Sequence, residues 1–158
     1  MEDKSKINEL DAMMRLSEVI NDTPTIVEIG GKKYNITALK IGTQILIAEE
    51  TSKVQKHQEG NMVDVFKSFA NSIPAVIRCI AFAILNDKDK IYQDYSKREF
   101  SEEFYATCEK IEWESDRQQW MSILVEIIRK IDISFSFTIT EQMSMIRDLT
   151  MKKRTPER

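Results

Sequence analysis

Two short runs of alternating apolar and polar residues, Thr25-Ile-Val-Glu-Ile29 and Lys33-Tyr-Asn-Ile-Thr37, flank a Gly30-Gly31 pair. Almost everywhere else the apolar residues recur at helical spacing. A Gly-Gly pair supplies the positive φ angles of a two-residue hairpin turn, so the pattern predicts a β-hairpin over Thr25–Thr37 leading into a helical body. Ahead of it, from about Lys4 to Asn21, Ile7, Leu10, Met13 or Met14, Leu16, Val19 and Ile20 fall on one side of a helix that Asn21-Asp-Thr-Pro24 stops. That helix has a broad polar face, and docking on the chain's own hairpin or on a partner both stay open.

After the hairpin, Leu39 to Gly42 turns the chain into a helix expected from about Thr43 to Lys56, with Ile45, Leu46 and Ala48 apolar and Glu49 and Lys53 as a favourable i,i+4 pair. Lys56 to Asn61 reads as a loop. Next, Met62, Phe66, Phe69, Ile73, Ile77, Ile80 and Ile84 recur at spacings of three and four, while Val76, Cys79, Phe82 and Ala83 fill a second face. A helix apolar on both faces belongs in the middle of a bundle, with Phe69, Ile77, Ile80 and Ile84 buried. Pro74 lacks the backbone donor and crowds the preceding turn, so a fresh helix start near Ser72 is expected.

Asn86 to Lys90 reads as a charged loop. Ser96-Lys-Arg-Glu99 has capping-box spacing and predicts the start of a short helix carrying Phe100, Phe104, Tyr105 and Cys108. Ser115-Asp-Arg-Gln118 repeats the signal ahead of a stripe of Trp120, Leu124, Ile127, Ile128 and Ile131. Ile133 to Thr140 alternates like a strand, yet Ile131, Phe135, Ile139, Met143 and Ile146 extend the helical stripe through it.

The fold class is therefore mainly α, a helical bundle with a short N-terminal β-hairpin. An amphipathic helix over 1–22 precedes a hairpin-plus-helical domain over 23–151, and a basic tail over 152–158 is expected to be disordered. The 158 residues suffice for one domain with a sizeable core. The charged N-terminus lacks the apolar core of a secretory signal. Ala75 to Leu85, interrupted by Arg78, is too short to span a bilayer. No membrane association is expected, and the place of action is the cytoplasm.

A net charge of −3, with both signs mixed along the chain, offers no field for a phosphate backbone, so specific nucleic-acid binding is not expected. The basic tail with Lys152, Lys153, Arg154 and Arg158 fits the solvated end of a last helix. Cys79 and Cys108 have neither CxxC spacing nor a nearby histidine, which suits reduced thiols acting as small apolar fillers.

Catalytic chemistry lacks its parts. His57, the single histidine, lies in a polar stretch without a partner for nucleophilic catalysis. The carboxylate pairs Glu49-Glu50 and Glu102-Glu103 are adjacent in sequence and diverge around a helix. Gly30-Gly31-Lys32-Lys33 lacks the spacing of a phosphate loop and sits between strands. Neither a cofactor nor a metal is implied, and the protein is read as a non-enzyme.

Three stretches together resemble the tail assembly chaperones of long-tailed bacteriophages and prophages. They are the hairpin Val27-Glu-Ile-Gly-Gly-Lys-Lys-Tyr-Asn-Ile-Thr-Ala-Leu39, the helix Ile73-Pro-Ala-Val-Ile-Arg-Cys-Ile-Ala-Phe-Ala-Ile-Leu85, and the late stretch Val125-Glu-Ile-Ile-Arg-Lys-Ile-Asp-Ile-Ser-Phe-Ser-Phe137. The likeness runs from about residue 25 to 151. It implies a mostly helical protein without catalytic residues that holds a long tape-measure protein soluble while the tail tube polymerises around it. It also favours helix over strand through 132–140. The implied partner is a tape-measure-like or tail-tube protein, with association between copies of the chain left open.

Met13, Met14 and Leu16 are the candidate partner-binding residues, because thioether chains on an amphipathic face repack against varied partners. Two other classes compete. A structural protein retained in the phage particle would be found in purified particles, and a small DNA-binding regulator would need a basic recognition helix.

Overall fold

The computed structural model describes residues 23–54, 61–131 and 143–144. The expected N-terminal helix with Met13, Met14 and Leu16, most of the loop at 56–61 with His57, the stretch 132–140 and the basic tail lie outside the described residues. Strand β1 (Thr25–Ile29) pairs antiparallel with β2 (Lys32–Ile36) in the register Thr25 to Ile36 and Ile29 to Lys32. Gly30 and Gly31 make the turn at φ 55° and 70°.

The alternation has the expected effect. Val27, Ile29 and Ile36 are buried on one face and Ile26 is exposed on the other. The hairpin lies on the helices, and it is tied down where the Thr25 hydroxyl donates to the Glu126 carboxylate at 3.0 Å and the Lys130 ammonium donates to the Thr23 carbonyl.

An alanine methyl at Gly30 would come within 2.9 Å of the Glu114 Cβ, whereas one at Gly31 would meet nothing within 4 Å. Both glycines sit in the left-handed region, where an L-residue costs about 1–2 kcal/mol. Gly31→Ala is therefore expected to cost about 1 kcal/mol and Gly30→Ala more, because Glu114 must also move. Urea unfolding of the two variants checks this, and equal costs would contradict the close approach of Glu114.

Helix α1 spans Ile41–Thr51, with Thr43, Ile47 and Glu50 buried. The inward stripe thus differs from the apolar positions expected, since Ile45 and Ala48 face solvent and Leu46 is half-buried. The reason is electrostatic: Glu50 is drawn inward by Arg78, and Lys53 pairs with Glu50 instead of Glu49. Glu49 pairs across the fold with Arg98 at 3.1 Å.

Helix α2 runs unbroken over Met62–Leu85 with Pro74 inside it, so the expected restart near Ser72 does not occur. Proline forfeits one backbone hydrogen bond, and the dense packing from Ala75 onward holds the helix through it. At 24 residues α2 is long and apolar enough to cross a membrane by composition, which overturns the length argument made for Ala75–Leu85. Cys79 to Ala83 are buried on all sides, as in the core helix of a bundle.

At the end of α2, Asn86 takes the left-handed conformation and clasps the link between β2 and α1. Its side-chain amide donates to the Thr37 hydroxyl at 3.1 Å and the Ala38 carbonyl at 2.8 Å, and its Oδ1 accepts from the Lys40 N–H at 3.0 Å.

The helix expected to open at Ser96 is instead a second hairpin. Following the short α3 (Lys88–Ile91), β3 (Tyr92–Asp94) pairs with β4 (Glu99–Phe100). The Asp94 carboxylate takes the Ser96 N–H at 2.9 Å and its hydroxyl at 2.6 Å, which removes Ser96 as a helix cap. Helix α4 (Glu102–Glu114) is capped by Ser101, whose hydroxyl accepts from the Phe104 N–H at 3.0 Å.

Ser115 closes α4, and α5 (Arg117–Lys130) opens on a capping box of Asp116 and Gln119, one residue later than expected. Phe82, Phe100 and Phe104 stack at centroid distances of 4.4–5.9 Å and join α2, α4 and the second hairpin into one core.

Candidate functional site

The apolar seam of α2 reads Met62, Phe66, Phe69, Ile73, Val76, Ile80 and Ala83, an alternation of four and three. This is the spacing of a helix that seats another helix along its length. In the fold only the last part of the seam is filled. Ile80 and Ala83 are buried, Ile73 and Val76 are half-buried, and Met62, Phe66 and Phe69 are 84%, 71% and 60% exposed. Phe69 was expected in the core and Ile84 fully buried; Phe69 faces solvent and Ile84 is half-buried. The other helices pack against α2 mainly beyond Ser72, so nothing described closes over its first three turns.

Helix α5 supplies the opposite wall. Trp120, Met121 and Leu124 face Phe69, Ile73 and Val76 across a groove of about 700 Å³, and Asp116 and Arg117 stand at one end. Val125 and Ile128, further along α5, are also exposed. The Trp120 indole N–H donates to the Ser115 hydroxyl, which in turn donates to the Ile111 carbonyl, so the largest side chain of the groove is held in place by the turn between α4 and α5. The groove is thus a preformed trough between two apolar stripes, about as wide as a third helix requires.

The titratable groups of the interior are committed to structure. Burial raises the Glu50 carboxyl, but hydrogen bonds from Lys53 and Arg78, with their charges, outweigh it and hold the pKa below the usual range. Burial raises the Cys79 thiol and pushes the Cys108 thiol up to about 11, so neither is a ready nucleophile. Cys79 Sγ lies 3.7 Å from the Ile47 carbonyl, a packed position between α1 and α2. Among the described residues no group of three histidine, cysteine or carboxylate side chains could hold a metal ion.

The residues expected to bind a partner, Met13, Met14 and Leu16, are outside the described residues. Those the structure exposes, Phe66, Phe69 and Met121, carry the same apolar letters as the core and were assigned to it or passed over. One signal separates them: Asp64, Lys67 and Asn71 interleave the first half of α2, whereas Arg78 is the only charge from Ile73 to Leu85. Comparison with protein-family models, curated proteins and solved structures finds no match to this chain.

Proposed function

We propose that this protein is a non-catalytic binding protein, a chaperone-like factor of phage tail assembly that holds a tape-measure-type partner through the groove between α2 and α5. The observation that carries the binding is the exposed start of the α2 seam, Met62, Phe66 and Phe69, continuous with the groove walls. An exposed apolar stripe at heptad spacing is complementary to one face of an amphipathic helix, and a long helical client offers many such faces. Binding by shape and apolar area suits a client whose sequence varies along its length, because no charge pairing fixes the register. The tail-assembly context comes from the likeness of the hairpin and the two helical stretches, and it places the protein in the cytoplasm of the host cell.

The test is co-expression with the tape-measure-like protein encoded beside this chain. The partner is expected in the soluble fraction, in a complex that survives gel filtration at moderate salt. A Phe66→Glu/Phe69→Glu double variant is expected to melt close to the parent and to lose the complex. Equal solubility of the partner with and without this chain would overturn the proposal.

A further inference from the structure

A second concavity lies on the far side of α1, away from the groove. It encloses about 250 Å³ and is lined by Gly42 and Thr43 at the start of α1, by Lys40, Lys88 and Arg98, and by the ring of Tyr95. Helix α1 begins without a side-chain cap and without an acidic residue in its first turn. The backbone N–H groups of Ile41, Gly42 and Thr43 have no acceptor among the described residues, the first helical bond being from Gln44 to the Lys40 carbonyl.

Thr43 supplies an independent observation. It is 3% exposed, and its hydroxyl makes no hydrogen bond. No buried side-chain oxygen among the described residues is both sealed from solvent and unpaired, so the small exposed part of Thr43 includes this hydroxyl, which opens onto the cavity it lines. A buried hydroxyl and three amide donors converging on one space form an oxyanion-binding arrangement.

We propose that this cavity binds a phosphate group, either inorganic phosphate or the monoester of a small apolar body. The three amide N–H groups and the Thr43 hydroxyl supply hydrogen bonds to the oxygens, and Lys88 at the rim supplies charge. Glu49 also lines the space, with its carboxylate held by Arg98 at 3.1 Å, and Lys40 is paired with Asp87 at 2.9 Å. The local charge is therefore nearly balanced, so directed donors outweigh net charge and a compact, fully accepting anion is favoured. The volume lies below the roughly 300 Å³ at which sites for drug-sized ligands begin, which limits any ester body to one ring against Ile45 and Tyr95.

The experiment is a titration of the full chain with inorganic phosphate and, separately, phenyl phosphate, followed by amide NMR at constant ionic strength. Saturable downfield shifts of the Ile41, Gly42 and Thr43 amides are expected below about 10 mM, a range set by weak millimolar affinity. Tighter binding of phenyl phosphate identifies the monoester as the ligand class, and equal binding identifies the phosphate alone. Thr43→Val, which keeps the buried shape and removes the hydroxyl, should weaken binding about tenfold or more. Lys88→Gln, at an exposed side chain, should weaken it about threefold with a smaller salt dependence, and it decides the matter if Thr43→Val does not fold. Unmoved amides, the same shifts from chloride alone, or undiminished binding by Lys88→Gln and a folded Thr43→Val would overturn the proposal.

Discussion

Ile77→Asp is expected to unfold the protein or leave it barely folded, whereas Phe69→Asp, eight residues earlier on the same helix, is expected to change stability by less than about 1 kcal/mol. Ile77 is buried against α1 and α4, so the aspartate there loses its hydration with no cation placed to pair with it. The cost is several kcal/mol of a total of about 5–15 kcal/mol. Phe69 is 60% exposed, so the same charge remains in water and the loss is limited to groove contacts and helix propensity. Urea unfolding at neutral pH separates the two. A large loss for Phe69→Asp would mean that the start of the seam is part of the protein's own core, and the binding reading would lose its surface.

The contrast along α2 also explains how far the sequence could be read. The hairpin was legible because Gly30-Gly31 permits few backbone geometries, and the end of the first strand follows from it. The capping box of α5 was legible to within one residue, since Ser115 and Asp116 can both cap and only the Gln119 side chain decides between them. The second hairpin was not legible: Ser96 and Glu99 have cap spacing, and the competing claim of Asp94 on Ser96 is a choice between two local hydrogen-bond patterns that composition does not rank.

Tertiary context decided the rest. Glu50 is buried because Arg78 reaches it from 28 residues away, and no periodicity within α1 announces that. The groove was hidden for the converse reason. Phe66 and Phe69 follow the same spacing as Ile77 and Ile80, and whether a seam is filled depends on where the other helices end.

The buried pair itself gives the second large effect. Arg78→Met is expected to cost about 3 kcal/mol at pH 7, because Glu50 keeps its charge in the interior with only the exposed Lys53 to balance it. In the parent, the folded-state pKa of Glu50 is depressed below its unfolded value of about 4.3, so its contribution is present above that pH and is lost as the pH falls through the folded pKa. In Arg78→Met the sign reverses. Burial, now less opposed, raises the folded pKa, so the destabilisation is largest at neutral pH and shrinks as the carboxyl takes up its proton on acidification. Glu50→Gln in the Arg78→Met background removes the charge and should recover most of the loss at pH 7, while changing little near pH 4. Urea midpoints of the parent and both variants at these two pH values test the scheme. A penalty for Arg78→Met that is the same at both, and that Glu50→Gln does not relieve, would show that Arg78 contributes by packing and not by neutralising Glu50.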